Sequence, residues 1–454
     1  PAQGAKALAR AAPRPAVTQT GTQGTVHIVG AGLAGLSAAV RLAGAGRRVV
    51  LYEAADQAGG RCRSFYDNKL AREIDNGNHL LFSANREALS YLKTIGADGS
   101  LIAPTAAAFP FLDLRDGRRW TLRPGTPYWP FWLLDPSRRI PGVPLTSYLK
   151  LFRLARAKAG DRVADCLDPK DPLWATFWHP LTVAALNTQP DAAAARLLWQ
   201  VLRESFLKGE SACRPMVARH GLATSLVTPA LGFLESRRAQ LHLNRRLRAI
   251  ERGDGLVRSL DFGAVQVRLG RADRVICAVP PVVAKGLLPE ISAPQESTAI
   301  VNAHIRLDGQ ADALRAAADQ LDPDLPFLGL IGGTVDWIFL RGDVVSLTVS
   351  AADALAARPN EEIVQRLWAD TAKALGLAET PLPPLRLIKE KRATFAQTPA
   401  ALAQRPGPCT GWRNLVLAGD WTDTGLPATI ESAVTSGRRA AENLSGDLSQ
   451  TQHF

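Results

Sequence analysis

The chain has 454 residues, of which 46% are hydrophobic and 21% charged, which is enough core for two or three domains and excludes a disordered or collagen-like protein. No apolar run reaches about 18 residues, so no membrane-spanning helix is expected. The formal net charge of +12 predicts an anionic partner. No zinc finger, RNA-binding sheet motif or long basic arm occurs, so acidic lipid headgroups are favoured over nucleic acid.

The five cysteines are widely spaced and form no C-x-x-C pair. We therefore predict neither a disulfide framework nor a metal site, and a reducing, cytoplasmic environment is expected. Residues 1–24 are rich in Ala, Pro, Gln and Thr without apolar periodicity, which predicts a disordered arm.

A dinucleotide-binding motif follows this arm. An apolar, β-branched run over Thr25–Val29 predicts a buried strand, Leu33–Ala45 a helix, and Arg48–Tyr52 a second strand. The intervening glycines form G-x-G-x-x-G, in which Gly30 permits a sharp turn, Gly32 lets backbone approach a pyrophosphate, and Gly35 lets helix and strand pack closely. Glu53 ends the second strand, where its carboxylate can accept hydrogen bonds from a ribose.

Two further segments carry groups suited to a flavin. Gly60, Arg61 and Arg63 form a second glycine turn with planar cationic donors. Near the end of the sequence, Asn414–Asp420 predicts a strand ending in Gly-Asp, and a helix is predicted from about Pro427. The Asp420 carboxylate can bind ribityl hydroxyls, and the helix N-terminus can face the N1/C2=O edge of the flavin.

Together these motifs, G-x-G-x-x-G…E…GGR and GD…ATIESAVTSG, resemble the FAD-dependent amine oxidase and phytoene desaturase superfamily. The resemblance implies FAD rather than NAD. It also implies an α/β fold in which a Rossmann-like FAD-binding domain (25–105, 215–290 and 406–450) is interleaved with an α+β substrate domain (106–214 and 291–405). The cofactor-binding residues so implied are Gly30, Gly32, Leu33, Ala34, Gly35, Glu53, Gly60, Arg61, Arg63, Gly77, Asn78, Leu247, Gly419, Asp420, Ala428, Thr429 and Ile430.

The central part of the chain alternates predicted helices and strands. Helices are predicted at Phe82–Ile95, Ala192–Leu207, Met216–Leu234 and Glu361–Leu375, and strands or hairpins at Phe109–Trp120, Leu241–Ile250, Leu256–Leu269, Asp273–Val279, Ala299–Leu307, Phe327–Leu340, Val344–Ser350 and Leu385–Phe395.

An aromatic and basic stretch lies between residues 118 and 139. It contains Trp120, Tyr128, Trp129, Phe131 and Trp132 among several arginines, a composition typical of a membrane–water interface. Thr146–Ala159 follows as a predicted basic amphipathic helix. The alternative is a core-facing helix with a solvated basic face.

Three candidates for acid–base or electrostatic roles stand out. His79 lies in the DNGNHLL segment, and histidine can exchange a proton near neutral pH. Asp336 is a second candidate acid, and Lys391 with Arg392 forms a basic pair on a strand that the superfamily topology brings near the flavin. The alternative for each is an ordinary structural role.

The segments DNGNHLLFSANREALSYL, WHPLTVAALNTQPDAAAA, GGTVDWIF and KEKRATFAQTPA narrow the resemblance to the squalene-associated FAD-dependent desaturases of bacterial hopanoid pathways. One departure is Asn78, where relatives are expected to carry Gln. The resemblance implies an enzyme that converts hydroxysqualene to squalene, with hydride transfer from reduced FAD to an allylic cation. It further implies a C30 isoprenoid substrate, an unidentified electron donor for FAD, and peripheral attachment to the inner face of the cell membrane.

Three rival interpretations remain open at this point. A carotenoid-type desaturase would use the flavin oxidatively on a similar lipid. A polar amine oxidase fits the basic composition less well, and a non-catalytic flavoprotein is the third class.

Overall fold

The computed structural model describes residues 24–125, 131–307, 311–321, 324–377 and 380–450, so the arm predicted for residues 1–24 lies, apart from Gly24, outside the described residues. The strands are β1 (Val26–Val29), β2 (Val49–Tyr52), β3 (Ser64–Asp67), β4 (Arg72–Asp75), β5 (Leu80–Phe82), β6 (Leu101–Ile102), β7 (Phe109–Asp113), β8 (Arg119–Leu122), β9 (Pro215–Ala218), β10 (Gln240–His242), β11 (Ala249–Gly253), β12 (Leu256–Asp261), β13 (Gln266–Arg268), β14 (Arg274–Cys277), β15 (Ser297–Arg306), β16 (Phe327–Ile331), β17 (Trp337–Arg341), β18 (Val344–Val349), β19 (Leu385–Phe395) and β20 (Leu415–Leu417).

The helices are α1 (Leu33–Gly44), α2 (Arg86–Thr94), α3 (Leu145–Leu149), α4 (Phe152–Ala155), α5 (Val163–Cys166), α6 (His179–Leu186), α7 (Ala195–Glu204), α8 (Glu210–Cys213), α9 (Leu222–Leu226), α10 (Thr228–Ser236), α11 (Pro281–Leu287), α12 (Ala311–Asp319), α13 (Asp353–Ala356), α14 (Asn360–Leu375), α15 (Pro399–Ala403) and α16 (Ile430–Gln450). In the part of the chain that the structure describes, none of these helices is both long and apolar enough to cross a membrane.

A parallel sheet in the order β10-β2-β1-β14-β20 carries the dinucleotide motif. Its central strands β1 and β2 are buried along their whole length, as expected for a parallel sheet covered on both faces. Helix α1 packs against α16 at Gly437, where an added Cβ would overlap the carbonyl oxygen of Ala34. The sheet therefore joins the beginning and the end of the described chain.

A second sheet has the order β19-β15-β18-β17-β16-β7-β8 and is antiparallel except between β16 and β7. Its side chains alternate between two faces. One face presents Phe111, Phe327 and Phe339 to the helices between residues 145 and 213. The other presents aliphatic side chains such as Val301 and Leu347 to α12 and α14. The predicted α/β class with a mixed second sheet is confirmed.

Three predicted helices are wrong in part. Met216 lies on β9 and Phe82 on β5, and these two strands pair with each other. The helix predicted over Thr146–Ala159 is broken into α3 and α4, because the amides between them bond three residues back, as from Lys150 to Ser147 at 3.3 Å, in the tighter 3₁₀ pattern.

Candidate active site

The G-x-G-x-x-G turn has the geometry that its sequence predicts. The Gly30 amide donates to the carbonyl of Tyr52 at 2.8 Å, and its φ of +104° is one that a side chain would disfavour. A Cβ at Gly35 would overlap the carbonyl oxygen of Gly30. At Gly32, by contrast, an added Cβ would meet nothing within 4 Å, which leaves open space beside the first turn of α1. The helix amides that begin at Leu33 and Ala34 adjoin that space, so a phosphate fits there.

Glu53 is held by backbone amides at the edge of this turn. Its Oε2 accepts from Ala31 N–H at 2.8 Å and its Oε1 from Ala55 N–H at 2.9 Å. The carbonyl of Glu53 accepts from Arg245 N–H at 2.7 Å, which brings the chain toward Leu247. Leu247 itself is buried in the cluster that contains Tyr52. A fixed carboxylate beside open space suits a ribose diol.

The second glycine turn meets the last strand of the sheet. Arg61 forms an ion pair with Asp420 at 2.8 Å and donates to the carbonyl of Ala393 on β19 at 2.5 Å. The Asp420 side chain is 7% exposed and that of Arg61 is 42% exposed, so the guanidinium borders a space while its partner is buried. The charge of Asp420 raises the pKa of Arg61 despite the opposing effect of burial. Arg63 turns back to donate to the carbonyl of Gly60 at 2.9 Å.

The loop before α16 is fixed by a residue that the sequence analysis missed. Gln397 is fully buried, and its Oε1 accepts from the Ala428 amide at 2.9 Å while its Nε2 donates to Leu186 O at 2.6 Å. Thr429 caps α16 by accepting from Ser432 N–H at 3.2 Å. Because Ala428 already donates to Gln397, the later amides at Thr429 and Ile430 are better placed to face a cofactor. Gly419 precedes this region with its amide bonded to Ser436 at 2.8 Å.

The segment around Gly77 lies against the second sheet. Asn302 donates to the carbonyl of Asn76 at 3.3 Å, and a Cβ at Gly77 would lie 3.1 Å from the Asn302 amide nitrogen. Asn78 donates to Thr348 Oγ1 at 3.1 Å. In addition, the Asn76 amide donates to the carbonyl of Arg63 at 3.0 Å. The segment therefore connects the arginine turn to β15 and β18.

His79 borders a cavity of about 300 Å³ together with Asp75 and Arg341. Asp75 is buried and pairs with Arg341 at 2.7 Å, an interaction that no sequence motif indicated. Burial first, and the charge of Arg61 second, lower the pKa of His79 to about 4, while Asp75 opposes them. His79 is therefore a neutral imidazole at pH 7.

Asp336 and Arg392 occupy other places. Asp336 lies directly before β17, where its Oδ2 accepts from Ser350 N–H at 2.7 Å, and burial raises its pKa to about 7. Arg392 and Lys391 are exposed in a bulge of β19, where three residues face Ala299 of β15. Arg392 adjoins Ala393, whose carbonyl accepts from Arg61, whereas Asp336 contacts Ser350 beyond β18.

The two described aromatic side chains of this stretch, Trp120 and Trp132, lie in or against the core. Trp120 is buried and stacks on Phe111 with ring centroids 5.7 Å apart, so its predicted interfacial position is wrong. Trp120 lies on strand β8 and its side chain faces the core, an orientation that composition alone does not predict. Tyr128 and Trp129 lie outside the described residues. Trp132 is partly buried against the same core.

Comparison with known proteins agrees with this geometry. The model of the family "Flavin containing amine oxidoreductase" matches residues 33–445. Hydroxysqualene dehydroxylase from Sinorhizobium fredii is 45% identical over 417 residues, covering 92% of this chain and 97% of that protein. The enzyme of that name from Rhodopseudomonas palustris is 44% identical over 420 residues, with the same coverage of 92% and 97%.

The fold also matches solved structures. Cyclohexylamine oxidase from Brevibacterium oxydans superimposes with a TM-score of 0.68 at 17% identity, covering 94% of this chain and 100% of that one. At such identity the likeness concerns the fold alone. The glycine turns, the open space at Gly32 and the fixed Glu53 carboxylate fit FAD. The chain therefore belongs to the flavin-containing amine oxidoreductase family, as an FAD-dependent oxidoreductase of the same branch as the hydroxysqualene dehydroxylases.

Proposed function

We propose that the protein reductively removes the hydroxyl group of hydroxysqualene to give squalene. The observation that carries the proposal is the match at 42–45% identity, over 97–98% of their length, to three proteins named hydroxysqualene dehydroxylase. Reduced FAD, when bound, would supply the hydride. An electron donor of unidentified class must restore the reduced cofactor after each turnover.

The chain's own residues hold the cofactor in this proposal. The α1 N-terminus and Gly32 would receive the pyrophosphate, and Glu53 would bind the ribose. Asp420, oriented by its ion pair with Arg61, would bind the ribityl hydroxyls. The first amides of α16 would hold the pyrimidine edge of the flavin, where the helix dipole favours negative charge. Because both ends of the chain build this site, its assembly depends on the whole fold.

Departure of the hydroxyl as water requires a proton. With a pKa of about 7, about half of the Asp336 carboxyl groups carry a proton at neutral pH, so Asp336 is the proton donor in this proposal. His79, with its pKa lowered to about 4 by burial and by Arg61, would act as a neutral hydrogen-bonding group instead. The charge of Arg392 would act electrostatically, since guanidinium does not release its proton in proteins.

The resulting allylic cation must be kept from water. Phe111 and Phe327 each pack against Trp337, with ring centroids 5.6 Å and 6.1 Å away. Phe339 extends this layer from Phe327, with ring centroids 6.2 Å apart, to the wall of the cavity beside His79, where it would exclude water and stabilise positive charge.

We further propose that the protein attaches peripherally to anionic lipid at the cytoplasmic face of the cell membrane. Leu134 and Leu149 are 64% and 48% exposed, and the exposed cations Arg138 and Arg153 lie close to them in sequence. Tyr148 is buried, so the broken helix is core-facing and only its Leu149 end contributes. Exposed leucines among cations suit an acidic bilayer surface.

A liposome assay tests the membrane proposal. Sedimentation with anionic vesicles is expected for the wild type and should be lost in the Leu134→Ser, Leu149→Ser double variant. Leu382→Ser is the matched control, since Leu382 is an exposed leucine (38%) in a different segment. Equal sedimentation of all three proteins, or none for the wild type, would contradict the proposal.

The reaction itself is tested with FAD-loaded protein, chemically reduced without oxygen and mixed with hydroxysqualene. Flavin reoxidation with squalene identified by mass spectrometry is the expected result. If hydroxysqualene does not change the flavin absorbance of the reduced protein, while a polyene or an amine reduces the flavin of the oxidised protein, the enzyme is instead a carotenoid-type desaturase or an amine oxidase.

A further inference from the structure

The cavity beside His79 has one exposed and one buried end. Arg219, Ala318 and Gly342 are exposed and mark its outer end, whereas Asp75 and Ser346 are buried and mark its inner end. The half-buried His79 lines the cavity as well. The cavity thus leads from the surface between α12 and the end of β17 into the interior of the protein.

The walls between these ends are apolar. They are formed by Leu222 of α9, Leu321 beyond α12, and Phe339 of β17, together with Ile102 and Val217. Apart from the exposed Arg219 at the outer end, the polar groups lie at the inner end, where the Asp75–Arg341 ion pair at 2.7 Å and the Asp75–Ser64 hydrogen bond at 2.5 Å fix the side chains. A predominantly apolar cavity with a few polar groups at one end suits a hydrocarbon chain that carries one polar function.

The inner end adjoins the residues assigned above to the flavin. Asn78 and His79 line the cavity, and Asn76, two residues before Asn78, donates its amide to the carbonyl of Arg63 at 3.0 Å. Arg61 is close enough to His79 to influence its ionisation. A chain that enters from α12 therefore arrives beside the arginine turn.

We propose that this cavity is the passage that admits the isoprenoid substrate and holds one of its arms beside His79. The inference rests on the proposed function for the identity of the substrate. The volume of about 300 Å³ lies at the lower limit of the roughly 300–1,000 Å³ of small-molecule sites. A C30 chain exceeds it, so the cavity holds one arm and the remainder extends beyond it.

The test uses a squalene analogue with a diazirine at one chain end, irradiated with the FAD-loaded protein and followed by peptide mass spectrometry. Labelling is expected on segments 217–222, 318–321 or 339–342. Ala318→Trp places a large ring at the exposed end without disturbing the core. It should lower this labelling about tenfold, the effect of losing about 1.4 kcal/mol of binding. Ala45→Trp, at an exposed alanine after α1, is the control and should label like the wild type.

Labelling elsewhere, no labelling, or equal labelling of Ala318→Trp and wild type would overturn the inference. Turnover of hydroxysqualene by the same wild-type preparation separates the two proposals. Turnover without labelling of these segments refutes the passage and leaves the proposed function intact. Labelling of these segments without turnover refutes the function while supporting an isoprenoid site.

Discussion

Replacement of Asp336 by Asn should stabilise the protein while inactivating it. Burial raises the pKa of this carboxyl from 3.8 to about 7, whereas the unfolded chain ionises near the lower value. Between these values the unfolded state loses a proton that the folded state keeps, so the free energy of unfolding falls as pH rises from about 4 to 7 and stays low above it. The full difference corresponds to ~4 kcal/mol, and partial exposure of the side chain reduces this to ~2–4 kcal/mol.

The measurement is urea unfolding of FAD-loaded protein followed by tryptophan fluorescence at pH 4.5 and pH 8. Asp336→Asn should unfold like the wild type at the lower pH and be more stable by ~2–4 kcal/mol at the higher one. Its turnover should fall by roughly 10²-fold or more if the carboxyl donates the proton. If Asp336→Asn is less stable than the wild type at pH 8, the ionised Asp336 carboxylate does not destabilise the folded state and the reasoning is refuted.

Asp343, in the turn after β17, provides a control, because its pKa is shifted in the opposite direction. Burial acts to raise its pKa, but two hydrogen bonds from Arg72, at 3.1 and 2.8 Å, and the nearby charges outweigh burial and lower it. A lowered pKa contributes stability above the unfolded value that is lost as pH falls. Asp343→Asn should therefore be less stable than the wild type at pH 8, and the difference should shrink toward pH 4.

Three further predictions follow from the same contacts. His79→Ala should lower turnover at least about tenfold. The dependence of turnover on pH between pH 6 and 8 should nevertheless have the same shape in variant and wild type, because this imidazole is neutral there. Unchanged turnover would show that His79 has no role in the reaction. Glu53→Gln should weaken FAD binding by roughly 10–100-fold in fluorescence titrations, since charge-assisted hydrogen bonds contribute ~1.5–3 kcal/mol, and unchanged affinity would contradict the ribose assignment. Gly437→Ala should destabilise by ~1–3 kcal/mol because its Cβ overlaps Ala34, whereas Gly286→Ala, with nothing within 4 Å, should not lower the melting temperature.

The sequence predicted local features well because their determinants are local. The glycine spacing from Gly30 to Gly35 and the flanking apolar runs place β1, α1 and β2 to within one residue. The family resemblance, the flavin cofactor and the α/β class are confirmed, whereas the roles of individual site residues stay predictions.

Features that depend on tertiary contacts were missed. Trp120 and Tyr148 sit in basic, aromatic sequence and are nevertheless buried, because strand direction and helix breaks decide which face turns inward. Asp75 and Arg341 are separated by 266 positions, so no motif joins them. Gln397 likewise reaches Ala428 only through the fold.

The order of strands in the parallel sheet has a consequence for biosynthesis. Strand β1 at Val26–Val29 is made early, but β20 at Leu415–Leu417, together with Asp420 and the start of α16, is made more than 360 residues after β2. At roughly 5–20 residues per second, on the order of 20–70 s separates these events on the ribosome. During that interval Arg61 lacks its ion-pair partner Asp420, and the proposed FAD site is incomplete. The complete site for FAD therefore forms only after β20 and the start of α16 have been synthesised, so cofactor insertion follows the synthesis of these elements.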